Sequence, residues 1–240
     1  MESNSKIPYI TLSFNAQGTK TFYQKLIEQN VIVIGSYDKS FHIIDETVES
    51  KQLELRKSED DLYTATDVSA SYGSYIKIDQ NTPCVIQPGQ FIVIGKTWII
   101  ITFVADDPII ILINEKFKVV AQYKLNQGTK YSVGRSSTAD HPIVISDDIT
   151  VSSVHLYVFI EKKTITITDN NSTNGSFIKF SKMKLEKGKK SILRIGLETF
   201  AVFEYVDKVP SNKLLTPFLV SAASTLSLRV RNFKVSDVDL

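Results

Sequence analysis

Three short polar segments carry residue types that could together bind an anion. They are YSVGRSS (131–137), DDITVSSVH (147–155) and DNNSTNGSF (169–177). Arg135 has a planar guanidinium that can hold two oxygens of a phosphate group at once, which a lysine would do less selectively. Ser152, Ser153 and Thr173 add hydroxyl and backbone N–H donors. A fixed cation with several donors is what a phosphate group requires, because it carries nearly two charges and three acceptor oxygens.

Each motif taken alone has a simpler structural explanation. Asn174 with Gly175 is first of all a hairpin signal, and Ser152 could simply end a strand. An isolated Arg135 is more often a solvated surface residue than a ligand. The case for a site therefore depends on the three segments occurring together in one domain.

The segments that must position these residues are short and rich in Ile, Val, Phe and Tyr, with Gly, Asn, Asp and Ser between them. Examples are YITLSF, VIVIG, FIVIG, WIIITFV, IIILI, HLYVFI, TITIT and FAVFEYV. This spacing predicts an all-β protein. Only residues 19–30 also fit an amphipathic helix, and a strand or an irregular loop fits them at least as well. All apolar runs fall short of the roughly 20 residues that span a bilayer, so we expect no membrane partner.

A repeat with an offset of 102 residues runs through the chain. TATDVSASYGSYIKI (64–78) aligns with TITDNNSTNGSFIKF (166–180), and seven of the fifteen positions are identical. Each copy opens with a strand after a proline, at Pro8 and at Pro108, which places a boundary near residues 105–107. We therefore predict two tandem β-sandwich domains, at 6–105 and 107–206, and a C-terminal tail at 207–240 that could serve as a docking segment.

In order and spacing, the three polar segments resemble the signature of the forkhead-associated (FHA) domain. That signature is a Gly-Arg, a Ser-x-x-His and a Ser/Thr-Asn-Gly on loops at one end of a β-sandwich. The resemblance covers residues 107–206 and implies that this domain binds a phosphothreonine peptide. The implied phosphopeptide-binding residues are Arg135, Ser152, Ser153, Thr173 and Asn174. In the family the Asn contacts the peptide main chain and the His pins the binding loops, so Asn174 is expected to read the peptide, whereas His155, Gly134 and Gly175 are expected to be scaffold.

The first copy departs from this signature at its decisive positions. The alignment places Ser36 at Arg135, Tyr72 at Asn174 and Leu53 at His155. Without the fixed positive charge, charge-assisted hydrogen bonds worth about 1.5 to 3 kcal/mol each are lost. We therefore interpret residues 6–105 as a degenerate FHA domain that docks or braces a protein partner. A phosphate site built from Lys39 or Lys51 is the alternative.

Two further stretches suggest additional contacts. KFSKMKLEKGKK (179–190) has six lysines and one acid, and it fits either a solvated hairpin or a ridge for acidic partners. Nucleic acid is disfavoured, because no aromatic side chains are interleaved with the lysines for stacking. In the tail, TLSLRVRNF (225–233) alternates like an edge strand, and Thr216 precedes a proline and could be phosphorylated and bound by another copy of the site.

Composition and motifs exclude several other classes. The net charge is +2, and Cys84 is the single cysteine, which indicates a reducing compartment and excludes an intrachain disulfide. The chain has no Gly-rich phosphate loop with Lys, no metal-ligand spacing among its three histidines and no nucleophile elbow, so we expect no enzyme, metal or cofactor. The first residues lack a presequence pattern. We expect an intracellular protein, nuclear or cytoplasmic, with a ciliary or cytoskeletal setting left open.

The leading hypothesis from the sequence is a non-catalytic adaptor or scaffold in signalling, which captures threonine-phosphorylated proteins through its second domain. The alternative is a constitutive structural subunit of a larger assembly, which uses FHA folds as phospho-independent interaction modules. A regulatory module for an enzyme on another chain is a weaker third.

Overall fold

The computed structural model describes residues 7–16, 19–36, 43–136 and 138–206. All regular elements in these residues are β-strands, which confirms the predicted all-β class. The predictions for the tail, for Lys39 and for Thr216 lie outside the described residues. The strands are β1 Ile7–Ala16, β2 Thr19–Leu26, β3 Val31–Ile34, β4 Leu53–Lys57, β5 Tyr63–Asp67, β6 Ser74–Lys77, β7 Cys84–Ile86, β8 Phe91–Ile94, β9 Thr97–Val104, β10 Asp107–Ile113, β11 Val119–Lys124, β12 Lys130–Gly134, β13 Pro142–Val144, β14 Leu156–Glu161, β15 Thr164–Asp169, β16 Ser176–Phe180, β17 Lys182–Leu185, β18 Ser191–Arg194 and β19 Phe200–Val206.

The chain forms two compact units whose boundaries differ from the predicted ones. The first unit joins the chain up to Lys77 with the segment that begins at Lys179, and the second unit is Ile78–Ile178. The predicted boundary at 105–107 is a tight turn inside the second unit, because β9 and β10 form an antiparallel hairpin in which Val104 pairs with Asp107. The domain limits 6–105 and 107–206 are corrected accordingly: the second unit is an insertion in the first.

Each unit contains two sheets. In the first unit one sheet has the strand order β6-β18-β19-β1-β2 and the other has the order β17-β5-β4-β3. In the second unit the orders are β11-β10-β9-β8-β16 and β13-β12-β14-β15-β7. Both units therefore have the layered arrangement of a β-sandwich.

The two sequence repeats exchange their last three strands. Strands β7, β8 and β9 belong to the first repeat but lie in the second unit, where β7 pairs with β15 and β8 pairs with β16. Strands β17, β18 and β19 belong to the second repeat but lie in the first unit, where β17 pairs with β5 and β19 pairs with β1. Each set therefore completes the sandwich of the other repeat, which the similar strand patterns of the two repeats allow.

Alternating side chains build a separate core in each unit. Strand β15, TITITD, buries Ile165, Ile167 and Asp169 and turns its threonines outward, as period-two patterning requires. The core of the second unit includes Ile86, Ile99 and other aliphatic side chains, and all of its members lie within residues 78–178. The core of the first unit is centred on large buried side chains such as Tyr63 and Phe203.

Residues 19–30 and the lysine-rich stretch 179–190 both contain strands. Residues 19–26 are strand β2, paired with β1, so the strand alternative is confirmed and the helix alternative is wrong. In the lysine-rich stretch, Lys182 and Lys184 are exposed on β17 while Leu185 is buried, so these lysines are solvated. The predicted hairpin is wrong, because β17 pairs with β5 whereas β18 pairs with β6 and β19. No helix in the described part of the chain is long and apolar enough to span a membrane.

Candidate functional site

The candidate site lies on three loops of the second unit, which follow β12, β13 and β15. Backbone hydrogen bonds join the first two loops: the N–H of Arg135 donates to the carbonyl oxygen of Ser152 (3.0 Å), and that of Ser136 donates to Ser153 (2.9 Å). Gly134 permits this close approach, since a Cβ there would lie 2.3 Å from the Ser153 carbonyl oxygen. The glycine before Arg135 is thus required by the packing of the two loops.

Arg135 is exposed and only partly engaged. Its Nε donates to the carbonyl oxygen of Val151 at 2.6 Å, which fixes the direction of the side chain. Its terminal amino groups make no hydrogen bond or ion pair with a residue that the structure describes. The charge of the guanidinium is therefore available to an external anion.

Ser152 joins the second loop to the third. Its Oγ accepts a hydrogen bond from the N–H of Thr173 (3.1 Å), so the hydroxyl can still donate outward. Ser153 and Thr173 are exposed, and their hydroxyls have no partner among the described residues. The N–H of Ser152 is not available to a ligand, because it donates to the Nδ1 of His155.

His155 is fully buried beneath these loops. Its Nδ1 accepts from the N–H of Ser152 and its Nε2 lies 3.1 Å from the carbonyl oxygen of Gly175, an arrangement that requires a neutral ring with the proton on Nε2. Burial lowers the pKa of His155, although the bond to Gly175 and the charges of Asp169 and Asp148 act in the opposite direction. A neutral histidine therefore connects the second loop to the third.

A buried carboxylate, Asp169, shapes the third loop. It accepts hydrogen bonds from the N–H (2.9 Å) and Oγ (2.6 Å) of Ser172 and from the Oγ of Ser176 (2.6 Å). The Oγ of Ser172 in turn accepts from the N–H of Gly175, whose φ of 81° favours glycine. Sequence reasoning did not assign Asp169 or Ser176 to the site. The repeat did contain a signal for them, since both residues are identical in the first copy.

Asn174 and Asp148 both bond to the backbone of Thr150 in the second loop. The Nδ2 of Asn174 donates to the carbonyl oxygen of Thr150 (2.7 Å), which leaves its Oδ1 as the acceptor for a ligand. Asp148 is buried and accepts from the N–H of Lys96 (2.6 Å), the Oγ1 of Thr97 (2.9 Å) and the N–H of Thr150 (3.0 Å). Sequence reasoning assigned Asp148 no role. The neighbouring Asp147 is exposed.

Two residues of the first repeat, Gln80 and Asn81, donate hydrogen bonds to the third loop. The Nε2 of Gln80 donates to the carbonyl oxygen of Ser172 (3.0 Å), and the N–H of Asn81 donates to that of Asp169 (2.8 Å). The side chain of Asn81 also donates to Asn171 (2.8 Å). These contacts were not predicted, because residues 78–105 were assigned to the other domain.

The first unit has the same scaffold built from different residues. Gln52 occupies the place of His155: its Oε1 accepts from the N–H of Glu49 (3.1 Å) and its Nε2 donates to the carbonyl oxygen of Gly73 (2.8 Å). The counterpart of His155 is thus Gln52, and the predicted counterpart Leu53 is wrong by one residue. Leu53 is instead a fully buried core residue. The error arises because the offset between the copies is 103 in this loop and 102 after it.

The same shift changes the counterpart of Ser152. The N–H of Ser36 donates to the carbonyl oxygen of Glu49 (2.9 Å), as that of Arg135 does to Ser152. Ser36 therefore does lie at the position of Arg135. Glu49 lies at the position of Ser152, whereas the offset of 102 residues would place Ser50 there.

A family model described as the FHA domain matches residues 131–197, less than half of the chain. The match contains all three polar segments, and it begins in the second unit and ends in the first because it follows the repeat and not the compact unit. FHA domains are in general non-catalytic modules that bind phosphothreonine-containing proteins. No characterised protein and no solved structure matches the chain.

Proposed function

We propose that the second unit binds a threonine-phosphorylated segment of a partner protein and that the chain is a non-catalytic adaptor or scaffold. The observation that carries this proposal is the state of Arg135. Its guanidinium is held in place through Nε, yet its terminal amino groups have no partner among the described residues. A cation fixed in this way at an exposed loop suits a phosphate group, because the side chain loses little further freedom on binding.

The phosphate would be bound by Arg135 and the hydroxyls around it. Two of its oxygens would accept from the terminal amino groups of Arg135, in the paired geometry that guanidinium and phosphate favour. The hydroxyls of Ser152, Ser153 and Thr173 would supply the remaining donors. Asn174 would accept a main-chain N–H of the peptide through its Oδ1. His155, Gly134 and Gly175 would contribute only by holding the loops.

This arrangement supports binding without chemistry. The hydroxyls of Ser152, Ser153 and Thr173 bond to no histidine or carboxylate among the described residues. The histidine beneath the site is buried and neutral, and both of its ring nitrogens bond to backbone groups. We therefore propose that the protein has no catalytic activity. An intracellular setting follows as a proposal from the need for a kinase to supply the ligand.

The first unit favours a second mode of interaction. It has Ser36 in place of Arg135, and so it has no arginine at the position of the proposed phosphate contact. We propose that it contributes a phospho-independent contact to a protein partner. If the chain were instead a constitutive structural subunit, both units would make contacts of this kind. The two modes differ in their sensitivity to phosphatase.

The test begins with a degenerate phosphothreonine peptide library, with phosphoserine and unphosphorylated libraries as controls. The best peptide is then titrated calorimetrically into wild type, into Arg135→Ala and into Arg56→Ala, a matched variant at an exposed arginine of the first unit. We expect Arg135→Ala to weaken binding by about 2 to 5 kcal/mol, roughly thirtyfold or more, and Arg56→Ala to leave it unchanged. Equal affinity for wild type and Arg135→Ala would refute the proposal.

A further inference from the structure

The first unit contains a pair of backbone donors that already bind an anion. The N–H of Ala70 donates to Oε2 of Glu49 (2.7 Å), and the N–H of Ser71 donates to Oε1 of the same carboxylate (2.6 Å). Ala70 and Ser71 lie on the loop between β5 and β6. In the second unit the corresponding loop between β15 and β16 carries Thr173.

This contact takes the place of a neutral one in the second unit. There the N–H of Thr173 donates to the hydroxyl of Ser152 at 3.1 Å, and the hydroxyl can turn its own hydrogen toward a ligand. Glu49 lies at the position of Ser152, but it has no hydrogen to donate and both of its oxygens are in use. Two adjacent amides that converge on one carboxylate are a recurrent form of anion recognition.

A turn of the same kind as in the second unit holds this loop, because one aspartate bonds to two serines. The carboxylate of Asp67 accepts from the N–H (3.2 Å) and Oγ (2.7 Å) of Ser69 and from the Oγ of Ser74 (3.1 Å), and the Oγ of Ser69 accepts from the N–H of Gly73. Burial opposes ionisation of Glu49, but hydrogen bonds from Ala70, Ser71 and Tyr72 hold its pKa below the ordinary value. The carboxylate is therefore ionised at neutral pH.

We propose that the Glu49 carboxylate substitutes for a ligand's phosphate, so that the first unit has an oxyanion site which the chain itself occupies. The site is therefore closed to phosphothreonine, and its loop is held in place without a phosphorylated partner. Substituting Ser36 by arginine and Glu49 by serine should open this site to a phosphate monoester. The parallel with phosphate rests on the proposed function of the second unit, whereas the occupancy by Glu49 does not.

The occupancy is tested on the full chain by following amide resonances from neutral to acidic pH. The amide protons of Ala70 and Ser71 should shift together, with a midpoint below the ordinary Glu value of 4.5, as Glu49 takes up a proton. These shifts should vanish in Glu49→Gln and persist in Glu46→Gln, which neutralises an exposed acid of the same loop. If the two amides do not titrate in wild type, the proposal is overturned.

The substitution for phosphate is tested in an Arg135→Ala background, in which the second site is disabled. Ser36→Arg with Glu49→Ser copies the residues of the second unit, and the probe is the phosphothreonine peptide that wild type binds. We expect affinity for this peptide to rise by about tenfold or more over the background, and Ser36→Arg alone to produce no gain because the carboxylate remains. A folded double variant, with a dispersed amide spectrum and no gain, overturns the inference.

The outcomes separate this inference from the proposed function. If wild type binds no phosphothreonine peptide, the proposed function fails, and the amide titration still decides whether Glu49 occupies the loop. If wild type binds the peptide and the folded double variant shows no gain, only the inference fails. If the double variant does not fold, the same amide titration in wild type supports or overturns the occupancy.

Discussion

The two units have one hydrogen-bonded frame and opposite charges at its centre. Gln52 and His155 make equivalent bonds to the loops above them, and Asp67 and Asp169 both shape a turn that ends in glycine. Above this frame the second unit has a cation, Arg135, whereas the first unit has an anion, Glu49. The same frame thus carries different charges in the two units, and we expect two substitutions to change what the loops bind.

Neutrality of the bridging side chain is what the two frames have in common. Glutamine offers one acceptor and one donor at fixed positions, and so does a histidine with its proton on Nε2. A charged imidazole would have no acceptor for the N–H of Ser152, so the frame of the second unit depends on the buried ring staying neutral. The first unit has no such requirement.

We expect the largest effect, on folding itself, when the chain is cut inside the second unit and not at its boundary. Residues 78–178 contain the whole second core and all three site loops, so we expect this fragment to fold alone and to bind the phosphopeptide. A fragment 107–178 lacks β7, β8 and β9 and should be unfolded, because it loses core residues such as Ile86, Ile94 and Ile99. Amide dispersion and circular dichroism distinguish the two. A folded 107–178 would contradict the assignment of these strands.

Transferring the anion to the second unit should close its site. Ser152→Glu places a carboxylate next to the N–H of Thr173 and within reach of Arg135, as Glu49 is placed in the first unit. Like charges about 4 Å apart repel by about 1 to 4 kcal/mol, so we expect phosphothreonine binding to fall on the order of a hundredfold. Ser152→Ala, which adds no charge, is the matched control and should reduce binding less. Calorimetric titration measures both, and equal losses in the two variants would show that charge is not the cause.

A smaller effect is expected from exchanging the bridging side chains. Because the folded state holds His155 neutral, its pKa lies below the ordinary value of 6.5. The stability that this provides is present above pH 6.5 and is lost as the pH falls through that value toward the folded pKa, by at most about 1.4 kcal/mol per pH unit. His155→Gln should keep the frame, as Gln52 does, and remove this part of the pH dependence. Denaturant unfolding at pH 7.5 and pH 5.5 measures the change.

The reciprocal variant is the control for that experiment. Gln52→His should introduce the same acid sensitivity into the first unit while leaving stability near neutral pH little changed. If His155→Gln retains the full pH dependence, protonation of the His155 ring is not its source.

Much of the second site could be predicted from the sequence, because its residues occur in a fixed order on short loops. Arg135, Ser152, Thr173 and Asn174 do lie on three adjoining loops, and each of the eight apolar stretches named from the sequence lies largely on a strand. Ser36 was placed correctly as well, since Gly35 and Gly134 precede the same backbone contact in the two units.

Other features could not be obtained in this way. Gln52 and Glu49 were missed because a one-residue change in loop length shifts the alignment, and only hydrogen bonds reveal which residues are equivalent. The exchange of the last three strands is not visible in the sequence, because WIIITFV and FAVFEYV are similar and each would fit either sheet. Asp148 and Asp169 were not assigned to the site, since a buried carboxylate that accepts backbone N–H groups is recognised by its partners and not by its neighbours in sequence.

In the described part of the chain we expect one open phosphate site, around Arg135, and one site that Glu49 occupies. The most direct test is a titration of the full chain with the selected phosphothreonine peptide, followed through backbone amide resonances. One peptide should bind per chain, with shifts at Arg135, Ser153 and Thr173 and none at Ala70 and Ser71. Shifts at Ala70 and Ser71 at the same peptide concentration, or a stoichiometry of two, would contradict it.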